Sequence, residues 1–157
     1  MSNLIKSKKR VKEHAEVFTP IHIVKNMIDM INLEDDGSDP YSSGKTWLEP
    51  ACGNGVFVGE IVKRKLSRCH FVDEALDMLK DVYAIDIQED NVHQARCQVI
   101  GQFVAWAVTS DFVILPSAVR IAVDIVAQNI VVGDFLKPET VVLFDWKENK
   151  WKMLSED

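Results

Sequence analysis

Three short apolar segments, each closed by a turn that contains glycine or aspartate, alternate in this chain with segments of helical periodicity. The apolar segments lie at 46–50, 82–87 and 129–135. Because parallel strands need long, usually helical, crossover connections, the alternation predicts an α/β fold, one half of a doubly wound sheet. Ligands of such sheets bind beyond the carboxyl ends of the strands, so we expect the three turns to meet at one site.

The first turn contains two glycines, in the sequence EPACGNG at 49–55. A glycine turn between a strand and a helix brings peptide N–H groups close to a ligand. A Cβ atom at Gly53 or Gly55 is therefore expected to intrude where the peptide and the ligand approach. A G-x-G pair also suits a tight turn with no ligand, so the spacing alone leaves both interpretations open.

An aspartate lies near the end of each of the other two segments. Asp86 closes the second apolar run, where nucleoside-binding α/β folds place an acid that accepts hydrogen bonds from ribose hydroxyls. Asp134 lies in the turn of the third segment, within Gly-Asp-Phe. A helix-capping or surface role for Asp86, and an Asx-type turn for Asp134, are the alternatives. The repetition of one arrangement after three strands favours a shared binding site.

Helical spacing of apolar residues predicts helices at about 20–31, 56–66, 90–107 and 117–126. Thr19 is expected to cap the first of these helices, with Pro20 at its first position. The polar segment 32–45 is expected to be an exposed linker. His93 and Cys97 lie four residues apart with no further ligand at matching spacing, so no metal site is predicted. Two apolar runs near the C-terminus predict a hairpin, in which Trp146 and Trp151 pack rather than stack on bases.

Composition bears on the compartment and the partners. The net charge of −6, from 18 basic and 24 acidic residues, restricts any contact with nucleic acid to a local surface. Three cysteines without a C-x-x-C pair favour reduced thiols and a cytoplasmic location, and the chain has no apolar run of membrane-spanning length. We expect a mobile basic arm at 1–15 and one compact domain at 16–157.

The motifs resemble those of adenine-specific DNA methyltransferases of restriction-modification systems, which bind S-adenosylmethionine. The glycine loop followed by Phe57, the Phe18-Thr19-Pro20 segment and the YAIDIQ segment at 83–88 carry the resemblance. Ala15 departs from it, because the family often has glycine there. The implied cofactor-binding residues are Phe18, Thr19, Pro20, Glu49, Pro50, Ala51, Gly53, Gly55, Asp86, Ile87, Asp134 and Phe135.

The resemblance also implies roles for these residues. Phe18-Thr19-Pro20 would help to hold the methionine end of the cofactor, and Asp86 would bind its ribose. Ile87 would pack on the adenine ring, and Asp134 would contact the adenine amine. The implied fold is a Rossmann-like class I methyltransferase sheet, with helices on both faces and a C-terminal hairpin. It is incomplete, because no Asn-Pro-Pro-Tyr motif follows Asp134, and no catalytic residue is assigned. The similar segment Asp39-Pro40-Tyr41 lacks the second proline of the Asn-Pro-Pro-Tyr motif and precedes the glycine loop.

The function implied is the cofactor-binding portion of such a methyltransferase, as a natural short form, a split subunit or a fragment. It would be inactive alone and would reach DNA through a partner, either as a homo-oligomer or with a catalytic or specificity subunit. A catalytically inactive protein that binds the cofactor or docks onto a methyltransferase complex is the alternative. A dinucleotide-dependent oxidoreductase is disfavoured, because Gly59 lies one place too late for G-x-G-x-x-G.

Overall fold

The structure is a computed structural model that describes residues 5–14, 16–31 and 37–155. Within these residues the chain is a mixed α/β protein with a small parallel sheet, surrounding helices and a C-terminal antiparallel hairpin. The helices are α1 (Lys8–His14), α2 (Ile21–Asp29), α3 (Val56–Leu66), α4 (Val72–Lys80), α5 (Glu89–Thr109) and α6 (Pro116–Asn129). The strands are β1 (Trp47–Glu49), β2 (Val82–Asp86), β3 (Ile130–Val132), β4 (Val142–Asp145) and β5 (Lys150–Met153), with a 3₁₀ turn at Pro138–Thr140.

The parallel sheet has the strand order β1-β2-β3. Trp47 is opposite Val82, and Ala84 is opposite Ile130. Helices α3 and α4 connect β1 to β2, and α5 and α6 connect β2 to β3. The prediction of three neighbouring parallel strands joined by helices is therefore confirmed. Because the strands are parallel, their carboxyl ends and the turns that follow lie along one edge of the sheet.

The core is formed by the sheet and the apolar faces of α2 to α6. Buried apolar side chains of the helices include Val58, Ile61, Val62, Leu66, Val92, Val99, Phe103, Ile125 and Val126. The α5 members, Val92, Val99 and Phe103, are spaced seven and four residues apart, as the periodicity predicted. Burial of each such side chain contributes roughly 1.5–3 kcal/mol, so this core holds the turns at the sheet edge in place.

Helix α2 begins one residue later than predicted. The Pro20 carbonyl accepts hydrogen bonds from the N–H groups of Ile23 (2.9 Å) and Val24 (3.1 Å), so Pro20 is the N-cap. No side chain among the described residues caps this helix, and the prediction that Thr19 does so is wrong. Proline suits this place because its missing N–H is not needed at a helix start.

The expectation of an exposed linker is wrong for the part of it that contains Tyr41; residues 32–36 lie outside the described residues. The Tyr41 side chain is 2% exposed, and its ring stacks on that of Trp47 with centroids 5.4 Å apart. Buried Lys65 donates from Nζ to the carbonyls of Ser42 (3.0 Å) and Lys45 (2.8 Å) and pairs with Asp81. These contacts fix the segment against α3.

The predicted hairpin is confirmed as β4 and β5, with Phe144 opposite Trp151. Two hydrogen bonds hold it to the rest of the fold: the Tyr83 hydroxyl of β2 donates to the Phe144 carbonyl (2.9 Å), and Trp146 Nε1 donates to Asn129 Oδ1 at the end of α6 (2.7 Å). The Phe144 ring makes edge contacts with both tryptophans. The packing interpretation of these rings is therefore confirmed.

The basic N-terminal segment contains α1 and contacts the start of α5. Lys6 Nζ donates to Asp90 (2.7 Å), and Arg10 Nη1 donates to the same carboxylate (2.6 Å). These contacts hold the pKa of Asp90 well below its usual range. The mobility of this arm in solution stays a prediction. Among the described helices, none combines the length and the apolar character needed to cross a membrane.

Candidate functional site

A cleft of about 500 Å³ lies at the carboxyl edge of the parallel sheet. Its walls come from the segment before α2 and from the turns that follow β1, β2 and β3. The lining residues are Glu16, Val17, Phe18, Pro50, Ala51, Gly53, Asp86, Ile87, Gln88, Asn91, Asp134, Phe135 and Leu136. The three turns that follow the parallel strands therefore meet at one cleft.

The cleft brings together eight of the twelve residues predicted to bind a ligand. These are Phe18, Pro50, Ala51, Gly53, Asp86, Ile87, Asp134 and Phe135. The other four, Thr19, Pro20, Glu49 and Gly55, adjoin lining residues or lie within two positions of one but do not line the cleft themselves. They are therefore close to the cleft walls in sequence without forming them.

Gly53 lies where the turn after β1 meets the segment before α2. Its φ of 52° is in the left-handed region, and a Cβ atom there would lie 3.4 Å from two atoms of the Phe18 ring. Its N–H donates to Asp86 Oδ2 at 2.8 Å. Glycine is favoured here by both backbone conformation and space, and Phe18 is one of the groups that approach it.

Gly55 is needed for a different reason from the one predicted. Its φ is 87°, and a Cβ atom there would lie 2.4 Å from the Ala95 Cα atom in α5. The residue is the N-cap of α3. The close approach at Gly55 is therefore between two helices of the core and not at the cleft.

Asp86 is held rigidly at the end of β2. Its side chain is 8% exposed. Oδ2 accepts the Gly53 N–H, while Oδ1 accepts the Gln88 N–H (2.8 Å) and a hydrogen bond from Asn91 Nδ2 (3.1 Å). A carboxylate has about four lone-pair positions, so three protein donors leave it capacity for one more, such as a ligand hydroxyl.

Asp134 and two apolar side chains form the wall on the β3 side. Asp134 Oδ1 accepts the Leu136 N–H (3.0 Å), which is the Asx-type turn considered for it, and Oδ2 lies 3.5 Å from Lys137 Nζ. Ile87 is 51% exposed and Phe135 41% exposed. Exposed apolar side chains within a cleft suit a flat apolar group of a ligand.

The charge of the cleft is negative. Glu16, Asp86 and Asp134 line it, and within the described part of the chain no lysine or arginine does. Lys6 and Arg10 lie behind the wall, bound to Asp90 and to lining residues. Such a cleft favours cationic ligands and repels phosphates.

Burial raises the pKa of two further groups beside the cleft. Glu49 Oε1 accepts the Ala51 N–H (3.2 Å), and burial outweighs this bond and raises the pKa of Glu49. Burial, with Asp86 and Glu49 nearby, raises the pKa of the Cys52 thiol to about 12. Cys52 is therefore a thiol at neutral pH and not a nucleophile.

Sequence reasoning missed five lining residues, which are Glu16, Val17, Gln88, Asn91 and Leu136. Asn91 lies in the first turn of α5 and donates from Nδ2 to both Asp86 and Glu16. The available signal was the position of Asn91 five residues after Asp86, on the helix that starts at the cleft. Glu16 gave no comparable signal, because its place depends on contacts with distant residues.

His93 and Cys97 lie outside this cleft on an exposed part of α5, with Sγ 3.8 Å from Nε2. Over the described ranges, no group of three or more His, Cys, Asp or Glu residues could hold a metal ion.

Comparisons with protein-family models, with curated proteins and with solved structures find no match to this chain. The basis for a functional proposal is therefore the cleft and its chemistry.

Proposed function

We propose that the cleft binds S-adenosylmethionine and that the chain is the cofactor-binding portion of a DNA (adenine-N6) methyltransferase of a restriction-modification system. The observation that carries the proposal is the convergence of eight residues from four separate segments, each implied by the resemblance, on one cleft. They lie between Phe18 and Phe135 in sequence, so only folding brings them together. The position beyond the strand ends is where such sheets bind ligands.

The chemistry of the cleft supports this ligand. S-adenosylmethionine carries a sulfonium, an ammonium and a carboxylate group, and its net positive charge suits a cleft lined by three carboxylates. Asp86 has capacity for a ribose hydroxyl, Ile87 and Phe135 offer apolar surface to the adenine ring, and Asp134 offers a carboxylate to its amine. A dinucleotide is a poorer fit, because its pyrophosphate would meet carboxylates and no lining cation among the described residues.

The proposal entails a Rossmann-like sheet that is incomplete. In a complete methyltransferase we expect helices on both faces, whereas here the β4–β5 hairpin contacts the sheet through Tyr83. The chain has five prolines, at 20, 40, 50, 116 and 138, so it contains no Asn-Pro-Pro-Tyr motif. We therefore assign no catalytic residue and place any contact with DNA on a partner subunit.

A catalytically inactive cofactor-binding or docking protein is the second candidate. The observation that favours it is the same combination of a cofactor cleft with no catalytic motif in the sequence. The two candidates differ in what a partner does. An added subunit that carries Asn-Pro-Pro-Tyr should produce methyl transfer for a split enzyme and only a change in another enzyme's activity for a docking protein.

Titration calorimetry tests the ligand. We expect binding of S-adenosylmethionine and of its demethylated product, S-adenosylhomocysteine. Asp86→Ala should weaken that binding by about 1–3 kcal/mol, because ligand and backbone donors lose their acceptor. Asp77→Asn, at an exposed position paired with Lys80, is the matched control and should bind normally. Tighter binding of NAD, or no binding of either sulfur nucleoside, would overturn the proposal.

A further inference from the structure

Glu16 is a buried carboxylate in the cleft wall with one oxygen unsatisfied. Its side chain is 8% exposed. Oε2 accepts hydrogen bonds from Arg10 Nη2 (2.5 Å) and from Asn91 Nδ2 (2.9 Å). Oε1 is buried and has no hydrogen-bond partner among the described residues. The position of Glu16 is thus fixed through Oε2, while Oε1 is buried without a partner among the described residues.

An unsatisfied buried carboxylate oxygen is unusual, because nearly all such groups have a partner. Glu16 lines the cleft, so a bound ligand can bring the missing donor to it. A cationic donor is favoured over a neutral one, since charge-assisted hydrogen bonds are about twice as strong. The group that Glu16 would select is therefore an ammonium.

The neighbours of Glu16 connect it to the rest of the cleft. Asn91 Nδ2 lies 2.9 Å from Glu16 Oε2 and 3.1 Å from Asp86 Oδ1. Two residues further on, Phe18 contacts the glycine loop at Gly53. The two carboxylates are thus neighbours bridged by one amide. A ligand that carries both a ribose and an amino group can contact both.

We infer that Glu16 binds the α-amino group of an amino-acid nucleoside through Oε1. The inference depends on the proposed function and deepens it, because it assigns the recognition of the amino-acid end to a residue that the resemblance does not imply. Arg10 is a positioning residue in this arrangement: it holds Oε2 and Asp90 at once, which directs the free oxygen.

A binding cycle on the full chain tests the inference with three probes. These are S-adenosylhomocysteine, its analogue without the α-amino group, and 5′-methylthioadenosine, which has no amino-acid end. In the wild type we expect loss of the amino group to weaken binding by about ten- to a hundredfold, the usual range for a hydrogen bond to a charged group. In Glu16→Gln the same loss should cost less than about threefold. Glu13→Gln, an exposed acid in α1, is the matched control and should keep the wild-type preference.

The affinity for 5′-methylthioadenosine should be equal in the wild type and in Glu16→Gln, because this probe has no amino group. It therefore shows whether the variant is folded with an intact cleft. Equal binding of the two homocysteine ligands by the wild type would overturn the inference, even if the variant does not fold. An amino-group preference that survives in Glu16→Gln would also overturn it, because another group would then bind the amine. If the wild type binds none of the three probes, the proposed function itself fails.

Discussion

Gly53 and Gly55 are two residues apart in one turn, yet they are constrained by different neighbours. The Cβ position of Gly53 faces the Phe18 ring at 3.4 Å, whereas that of Gly55 would meet backbone of α5 at 2.4 Å. An aromatic ring at that distance can shift by a few tenths of an ångström, but packed backbone cannot. The two glycines should therefore respond differently to substitution.

We predict that Gly55→Val destabilises the fold by more than about 3 kcal/mol, through overpacking and an unfavourable φ. Gly53→Ala should leave the chain folded and weaken the binding of S-adenosylmethionine about tenfold or more, because Phe18 is displaced and the loop is strained. Urea unfolding followed by calorimetry separates the two effects. Normal ligand affinity in a folded Gly53→Ala variant would show that the loop is only a turn.

At this scale, sequence reasoning succeeded where a residue's role depends on local backbone and failed where it depends on distant partners. Asp86 and Asp134 follow strands, so their places could be predicted from the chain. The burial of Glu16 depends on Arg10 and on Asn91, which is 75 residues away. Gly55 was predicted to face a ligand, because the approach of α5 is not visible in the sequence.

At the scale of elements, the strands and helices of the parallel sheet followed from periodicity, since apolar runs between glycine and aspartate turns have few other solutions. The ordered structure of the segment before β1 could not be predicted from periodicity, because this segment is polar apart from Pro40 and Tyr41. Its order comes from Trp47 and from the buried Lys65 ammonium, which donates to two of its carbonyls. Such contacts are set by tertiary structure and leave no periodic signal.

Tyr83 links the hairpin to the sheet, and its ionisation should release that link. Burial raises the pKa of Tyr83 to about 12, compared with about 10 for a free tyrosine. Because the folded chain prefers the neutral hydroxyl, its contribution to stability is complete below pH 10 and is lost as pH rises through 12. We predict that Tyr83→Phe lowers the unfolding free energy at pH 8 by roughly 1 kcal/mol and removes this part of the alkaline pH dependence.

Urea unfolding of wild type and variant between pH 8 and 12 measures the difference. The chain has one other tyrosine, so the absorbance titration of Tyr41→Phe follows Tyr83 alone. A midpoint near 10 in that variant would contradict the role given to the hydroxyl.

At the scale of the whole molecule, the described sheet ends at β1, which pairs only with β2 there. Leu48 of this strand is 41% exposed. Exposed edge strands tend to pair with other chains, so we predict self-association or a partner subunit. Light scattering at high concentration should give a mass above the 17.8 kDa of one chain. Leu48→Lys should reduce this mass, and Met30→Lys, at an exposed site just after α2, should not. A strictly monomeric wild type without a partner would contradict this prediction.

The isolated chain should not transfer tritiated methyl groups from S-adenosylmethionine to unmethylated duplex DNA, even at low salt. Cofactor binding places the methyl group, but without a site that holds the adenine amine in line the chain forgoes much of the roughly 7–11 kcal/mol that proximity can supply. A subunit with Asn-Pro-Pro-Tyr should restore transfer, and Asp134→Ala should then reduce it. Methylation by the chain alone would contradict this prediction, and Asp39-Pro40-Tyr41 would then be the first candidate for the catalytic pocket.

Because four separate segments form the cleft, a bound ligand should change the resistance of the chain to proteases. A ligand that touches all four joins parts of the chain from Glu16 to Leu136, and at a hundred times its dissociation constant it adds about 2.7 kcal/mol to stability. The exposed Lys12 in α1 is a tryptic site four residues before Glu16. Cleavage after Lys12 separates Arg10 from the carboxylate that it holds. The rate of that cut, with and without ligand, therefore reports occupancy of a cleft that the protease never enters.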